Sequence, residues 1–452
     1  MSNIAGILKD FFAAHQQKVS QATAPSHMDV MGGTADVAGG LLIQKAQEDV
    51  STAYVAFNDD QRINLRLIYQ GEEHISVQCS YPDLVGQFPT INYEYARQQL
   101  LAVSSHEAVV SLVGCLLVLF NEKNLKFEGV DVIITSDIPT STGVGAISSY
   151  TIALLKAIAS GLNLDLREYD IPLMAHQAEN WVGGFCSGPR ESMASFAGNP
   201  NRLTPIICQP AEVFHPIDIP NAITLVGIDT GVPVLLADEA YGTARAAMFM
   251  GYSIIALASG ATAHDLAVAR ETQDWSSLPY QGYIANINPS EFEDKFLPIL
   301  PDTISGQEFF EKYQTSVDVI SFIDRDHAYN VLKCTRHPVY ENFRAKLFAQ
   351  TIKNYTTEFQ NYSNRLNLMG ELMYQSHQSY VDCGLSHPQA DDLVARVKAA
   401  GTEGGLHGAR ITGNGSGGTV CVLCGGISGP EQVRQIHHEY EQTVGKPVAF
   451  FK

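Results

Sequence analysis

The sequence reads as a mixed protein in which strands and helices carry three glycine-rich loops. Three observations lead there. β-Branched runs such as residues 51–57, 63–69, 75–79 and 130–135 have the composition and alternation of strands. Longer apolar stretches, such as 93–124 and 241–258, repeat with helical spacing. Glycine clusters near residues 32–40, 143–145 and 413–418 each stand beside an apolar strand. One such loop is a weak signal. Three suggest that distant loops converge on one ligand.

A chain of 452 residues holds two domains of ordinary size, and 45% hydrophobic content supplies ample cores. A net charge of −19 argues against nucleic acid or an anionic membrane as the main partner, because both repel an acidic face. A phosphate ligand needs only a local positive site and stays open. The longest apolar stretch, 109–120, is too short to span a bilayer. Residues 1–9 lack a basic start followed by an apolar core, so no leader is expected. The eight cysteines are scattered, and Cys115 and Cys208 sit in apolar surroundings. Cys421 and Cys424 form a CxxC inside the run TVCVLCG, without a second pair, and a packed strand is expected there. Free buried thiols point to a reducing, cytoplasmic setting.

In chain order, residues 4–19 form an amphipathic helix with Ile7, Leu8, Phe11 and Phe12 on one face. Next, Gly32-Gly33 and Gly39-Gly40 flank Asp36. A carboxylate between two tight turns fits a turn cap, and equally an acceptor for substrate hydroxyls. Residues 51–57, 63–69 and 75–79 are expected to form an antiparallel sheet. Residues 93–124 give one or two helices, the second, from about Glu107, apolar enough to be buried. A helix over 171–180 brings His176 and Glu179 toward the turn GGFCSG, followed by Pro189, Arg190, Glu191 and a helix of small residues over 192–198. Two prolines precede a strand at 222–229, and the domain boundary is placed there, giving 1–215 and 216–452. Residues 273–283 read as a loop; 241–258, 308–321, 339–357, 366–380 and 389–399 read as helices. The last loop, in GARITGNGSGGTVCVLCG, lies between a strand and a strand or helix start.

The middle loop is the centre of the argument. Pro139 opens a turn, Gly143 and Gly145 bracket Val144, and Ser148 and Ser149 begin an apolar helix marked by Ile152, Leu155 and Ala159. Strand, glycine turn and helix follow in order. The unsatisfied N–H groups and the dipole at such a helix start favour an anion such as phosphate. The spacing is neither the Walker nor the Rossmann pattern, and a turn that merely joins strand to helix has the same local signature.

At these residues the sequence resembles the GHMP kinase superfamily, in its galactokinase branch, and within it the kinase domain of plant L-arabinokinases. The three stretches that carry the likeness are APSHMDVMGGTADVAGG, PTSTGVGAISS and ITGNGSGGTVCVL, with CQPAEV, GID, RHPVYENFR and YQSH in support. The resemblance runs from about residue 22 to the C-terminus. It implies an α+β, two-lobed GHMP kinase fold: an N-terminal mixed sheet and helix lobe, a C-terminal ferredoxin-like lobe, and the active site between them. It implies ATP and Mg2+ as cofactors and a small sugar or polyol as substrate. Pro139, Gly143, Val144, Gly145, Ser148, Ser149 and Gly413 would serve the nucleotide. Asp36, Tyr241, Gly415 and Ser416 would serve the substrate, and Glu179 the metal. A packed helix residue is an equal reading of Tyr241.

The departures fall on the chemistry. His27 stands where galactokinase-type enzymes carry arginine, after Ser26 rather than glycine. Glu191 stands at the position of the family's catalytic aspartate, and Ala146 and Ile147 replace the serines after the second glycine. One extra methylene moves the carboxylate by ~1.5 Å. A displacement of that size can cost about 100-fold in rate, or can suit another hydroxyl. Arg190 beside it could supply the positive charge lost at His27; a surface arginine after a proline turn reads equally well. The expected function is therefore an ATP-dependent kinase for a small sugar, with Glu191, Arg190 and His27 catalytic. The alternatives are a non-catalytic binding or regulatory protein on this fold, and an enzyme of the fold with a changed reaction, such as a decarboxylase.

Overall fold

The computed structural model describes residues 4–13, 19–236, 238–354 and 359–452. The chain forms two compact units, each assembled from separate stretches. The first comprises Met1–His27, Ala46–Thr140 and Val144–Pro200; the second comprises Met28–Lys45, Ser141–Gly143 and Asn201–Lys452.

In the first unit, helix α1 (Ile4–Phe11) lays Ile4, Ile7, Leu8 and Phe11 against Phe12, Ala56, Ile68 and Ile133. The expected continuation of this helix over 14–18 lies outside the described residues. Five strands follow: β1 (Ser20–Met31), β2 (Leu41–Phe57), β3 (Arg62–Tyr69), β4 (Glu72–Ser80) and β5 (Val130–Ser136). The sheet corrects the expectation of an antiparallel run of β2, β3 and β4. Strand β5 lies between β2 and β3, parallel to β3 and antiparallel to β2. Burial explains the order. Val130–Ile134 is apolar or buried throughout, as a central strand with a parallel neighbour requires. β4 alternates and leaves one face exposed, as an edge strand can.

Helices α2 (Tyr93–Val103) and α3 (Glu107–Glu122) match the sequence reading, and α3 is buried from Ala108 to Phe120. Next come α4 (Ala146–Gly161), α5 (Asp170–Gln177), a π-helical turn over Ala178–Val182, and α6 (Arg190–Ala197). Helix α3 approaches the π turn closely at Gly114, where a Cβ would lie 3.2 Å from Val182 and 3.3 Å from Ala178.

In the second unit, Gly33–Ala38 forms a 3-10 turn, and β6 (Arg202–Ile207) pairs antiparallel with Leu41–Lys45 of β2. Then follow β7 (Ile223–Asp229), α7 (Glu239–Ala258), α8 (Val331–Lys353), α9 (Phe359–Asp382), α10 (Pro388–Ala400), β8 (Leu406–Ile411), β9 (Thr419–Gly425), α11 (Gly429–Val444) and β10 (Phe450–Phe451). The sheet order is β8-β9-β7-β10, antiparallel throughout. That is the ferredoxin-like arrangement the sequence led us to expect. Alternation along β9 feeds two cores: Val420, Val422 and Cys424 join one, Cys421 and Leu423 the other.

Two helix boundaries differ from expectation. The helix expected over 308–321 ends at Tyr313. The Asp318 carboxylate accepts from the backbone of Ile320 and Ser321 and from the Arg245 guanidinium, which favours an irregular turn over a helix. Helix α8 starts early, at Val331, and continues through Pro338; position 357 lies outside the described residues. Among the described residues, no helix is long and apolar enough to cross a membrane.

Candidate active site

The first unit brings His27, Arg190 and Glu191 together. Helix α6 starts at Arg190, so Arg190 and Glu191 occupy its first turn. Glu191 Oε1 accepts from Arg190 Nε at 3.2 Å and from Arg190 Nη2. Its Oε2 lies 2.8 Å from His27 Nε2. Arg190 and His27 are each 1% exposed, while the Glu191 side chain is 19% exposed. Glu191 is thus the least buried of the three side chains. Burial alone would raise the Glu191 carboxyl, but the charges of Arg190 and His27 outweigh it and hold it far below the usual carboxylate range. Glu191 therefore stays ionised across ordinary pH.

His27 is fixed from three sides. Its backbone N–H donates to Val144 O at 2.9 Å, and its Nδ1 lies 3.2 Å from Ser195 Oγ. Its ring covers Gly145, where a Cβ would fall 2.1 Å from His27 Cε1. Gly145 adopts φ 74° and caps α4, so the position excludes side chains on both counts. Sequence reasoning missed Ser195. The available signal was its i, i+4 spacing from Glu191, which places both on one face of α6.

Glu179 sits in the π turn and is 1% exposed. Its Oε2 accepts from Ser187 Oγ at 2.8 Å, and its Oε1 is buried without a hydrogen-bond partner. Ser187 belongs to the GGFCSG turn, and its N–H donates to Asn180 Oδ1 at 3.3 Å. Burial, aided by the negative charges of Glu191 and Glu107, raises the Glu179 carboxyl to about 8. A buried carboxyl with one unpartnered oxygen fits a cation ligand. Among the described residues, no group of three or more His, Cys, Asp or Glu is placed to hold a metal. Magnesium here would therefore rest on Glu179 and on oxygens brought by the nucleotide, the usual pattern for a small, strongly hydrated cation.

The middle loop has the backbone expected of it. Gly143 has φ 75°, and α4 begins at Ala146, directly after Gly145. Pro139 precedes the turn, and Val144 is 1% exposed. The two serines differ from expectation. Ser149 is fully buried; its hydroxyl donates to Ala24 O and contacts Ser51 Oγ, each at 2.7 Å. It fastens α4 to β1 and β2 and is not turned toward the loop. Ser148 is also buried, at 4% exposure.

In the second unit, Asp36 is 1% exposed, and its Oδ1 accepts from Val37 N–H at 2.9 Å. That bond lies inside the 3-10 turn; Gly32 holds the N-cap position without a side-chain cap bond, so Asp36 is not the end cap expected. Thr34 and Val37, on either side of Asp36 in sequence, line a recess with Tyr241, Arg245 and His337. Tyr241 is 1% exposed and packs in the core, as the plainer of its two readings expected.

A buried ionic network underlies this turn, joining residues far apart in sequence. Gly32 N–H donates to Glu341 Oε1 at 3.0 Å, and Leu41 N–H donates to Asn342 Oδ1 at 3.0 Å. Glu341 also accepts from Ser376 Oγ at 2.7 Å and from Arg344 Nε at 2.8 Å. Arg410 donates to Asp29 Oδ2 at 2.6 Å and to Ser376 at 2.9 Å. The stretch RHPVYENFR thus grips both ends of the Asp36 turn through Glu341 and Asn342, and Ser376 of YQSH braces Glu341 and Arg410 behind it.

The third loop joins β8 to β9. Gly413, Gly415 and Gly418 have φ of 60°, 81° and 69°, and Ser416 has φ 60°. A Cβ at Gly415 would lie 2.1 Å from Leu385 O. Ser416 N–H donates to Leu385 O at 2.8 Å, and Ser416 Oγ is buried without a hydrogen-bond partner. Thr419 Oγ1 donates to Thr142 O at 2.8 Å, beside Gly143.

Known proteins resemble this chain in sequence and in fold. The chain matches the GHMP kinases N terminal domain over residues 111–199 and the GHMP kinases C terminal domain over residues 356–445. An L-arabinokinase of Arabidopsis thaliana is 29% identical over 95% of this chain; the chain spans 45% of that relative's length. A galactokinase of Haemophilus influenzae (strain PittEE) is 25% identical, covering 72% of this chain and 69% of its own. The crystal structure of Lactococcus lactis galactokinase complexed with galactose shares the fold, with TM-score 0.65 and 17% identity, over 99% of this chain and 97% of that one. The chain thus matches both GHMP kinase domains in chain order and shares the galactokinase fold.

Proposed function

We propose that this protein is an ATP-dependent kinase that transfers the γ-phosphoryl group to a hydroxyl of a small sugar of the arabinose or galactose type. The names of its relatives supply the substrate class. The observation that carries the reading is the ionised, partly exposed Glu191 carboxylate held between Arg190 and His27. Phosphoryl transfer needs little covalent help from the protein; positioning and electrostatics dominate. Glu191 orients the attacking hydroxyl and takes its proton late, once the forming P–O bond has made that proton acidic. A carboxylate held so far below its usual range is a weak base, and a loose transition state requires no stronger one.

Arg190 and His27 fix the carboxylate, and Arg190 places positive charge beside it. The start of α4 offers N–H groups with no partner inside the helix to phosphate oxygens. Bound magnesium would neutralise charge on the transferring phosphoryl group. Glu179 would hold it, and must first lose the proton that burial makes it keep. Asp36 is assigned to the sugar hydroxyls, and Gly413, Gly415 and Ser416 to phosphate and substrate. The longer Glu191 suits a chain with histidine at position 27, because it reaches the shorter imidazole directly at 2.8 Å.

The test is ADP release by purified protein with MgATP and a panel of aldoses and uronic acids, including L-arabinose and D-galactose. Saturable turnover on one of them is expected; none on any would overturn the proposal. One observation favours a second reading, a ligand-binding protein without turnover: both Glu191 oxygens already have side-chain partners, Arg190 and His27. That reading expects thermal stabilisation by sugar or nucleotide without ADP.

A further inference from the structure

Tyr380 stands between two of the glycine loops within the second unit. It lies near the end of α9 and is fully buried. Thr34 N–H donates to its hydroxyl at 2.9 Å. The hydroxyl in turn donates to Gly413 O at 2.7 Å. A single oxygen thus joins the 3-10 turn that carries Asp36 to the first residue of the third glycine loop. The ring around it is fixed. The Arg410 guanidinium lies 5.1 Å from the ring centroid on one side, and the His337 ring meets it edge-on at 5.3 Å. Space for the hydroxyl exists because residue 33 has no side chain: a Cβ at Gly33 would lie 1.7 Å from Tyr380 Oη.

We propose that Tyr380 is a positioning residue that couples the two loops, so that phosphate held at Gly413–Gly418 improves the hold of the Asp36 turn on sugar, and the reverse. The proposal rests on the reading of these loops as phosphate- and sugar-binding. Coupling by this route follows from geometry. The hydroxyl can donate one hydrogen bond, and Gly413 O receives it. With the ring held, order at Gly413 fixes the hydroxyl's direction, and with it the lone pair that accepts from Thr34. Binding that orders one end therefore lowers the cost of ordering the other. By linkage the effect is equal in both directions.

The experiment compares wild type, Tyr380→Phe and Tyr252→Phe. Tyr252 is an apt control: it is buried and donates to Pro279 O at 2.9 Å, away from both loops. The dissociation constant of a non-hydrolysable ATP analogue is measured with and without saturating sugar. Wild type and Tyr252→Phe should show tightening of about fivefold or more, and Tyr380→Phe should show little. Wild-type coupling retained in Tyr380→Phe, or no coupling in wild type, overturns the proposal. A protein that turns over no sugar defeats the kinase reading alone. Hydrogen exchange without ligand then decides: Tyr380→Phe should speed exchange about tenfold in residues 32–38 and 413–418 together, Tyr252→Phe in neither. Faster exchange in only one segment overturns the coupling. Should Tyr380→Phe not fold, Gly33→Ala, which displaces the same hydroxyl, is read by the same measurements.

Discussion

Glu191 and Glu341 are two glutamates beside arginines, one in each unit, and they do different work. Burial pushes both carboxyls up, and their partners push both down further: Glu341 reaches about 2, chiefly through Arg344 and Arg410, and Glu191 falls chiefly through Arg190. Their partners differ. Glu341 is fully buried and accepts from the backbone of Gly32, from Ser376 and from Arg344. Glu191 binds the side chains of Arg190 and His27 and keeps 19% of its own side chain exposed. A carboxylate that satisfies a distant backbone group holds a fold together. One whose partners are two neighbouring side chains, and which is less deeply buried, can exchange them for a ligand. Charge and burial alone do not separate the two roles.

Exchanging both glutamates for glutamine gives the sharpest contrast. Glu191→Gln should cut turnover by about 100-fold or more, and because it removes the carboxylate from buried Arg190 it should cost stability as well. Glu341→Gln should cost stability alone. Loss of a charge in a buried network costs about 3–5 kcal/mol, visible in denaturant unfolding, while the surviving folded protein keeps most of its kcat. Similar turnover losses in the two variants would break the comparison. Substrate assays on Glu191→Gln also separate the two functional readings, since a binding protein would lose nothing in turnover.

Glu179 gives a pH signature of intermediate size. Its carboxyl sits at about 8 in the fold against 4.5 for the free group. Between those values the ligand-free folded state holds a proton that the unfolded chain lacks, so this group's contribution to stability falls as pH rises through the window. Glu179→Gln should flatten that part of the Tm profile between about pH 5 and 8. Binding of MgATP at pH 7 should release about one proton in wild type and less in the variant, read by calorimetry in two buffers of different ionisation enthalpy. Equal release in both would detach Glu179 from the metal.

Ser195→Ala is the smallest test. It removes the 3.2 Å contact to His27 Nδ1 and should cost about 1 kcal/mol of stability. Turnover should fall a few-fold, because His27 is freed to turn away from Glu191. A larger loss than for Glu191→Gln would place the chemistry on the histidine.

Much of this was legible in the sequence where the cause is local. The helix after Gly145 follows from glycine, turn and apolar spacing within a few residues, and it starts where expected. The βαββαβ order of the second unit came with the family likeness. What the sequence hid depends on distance along the chain. Gly32 finds Glu341 and Arg410 finds Asp29 across hundreds of positions, and no periodicity records such a pairing. RHPVYENFR therefore stood out as a pattern without a role. The same limit misplaced β5, whose partner choice depends on which faces are covered. The 308–321 stretch failed for a third reason: Asp318 offers the backbone bonds that compete with a helix. Ser149 was read toward the loop because a sequence shows which residues begin a helix, not which way each hydroxyl faces.

Strand β9 has a practical consequence. Cys421 and Cys424 stand three positions apart on it and therefore point to opposite sides, each into its own apolar layer. They can neither bridge nor chelate together, so oxidants and metal scavengers should leave the pair alone. Seven of the eight thiols are buried and only Cys186 is partly accessible. Alkylating reagents should tag that one promptly and the others only as the molecule opens, which gives the protein a built-in clock for its own unfolding.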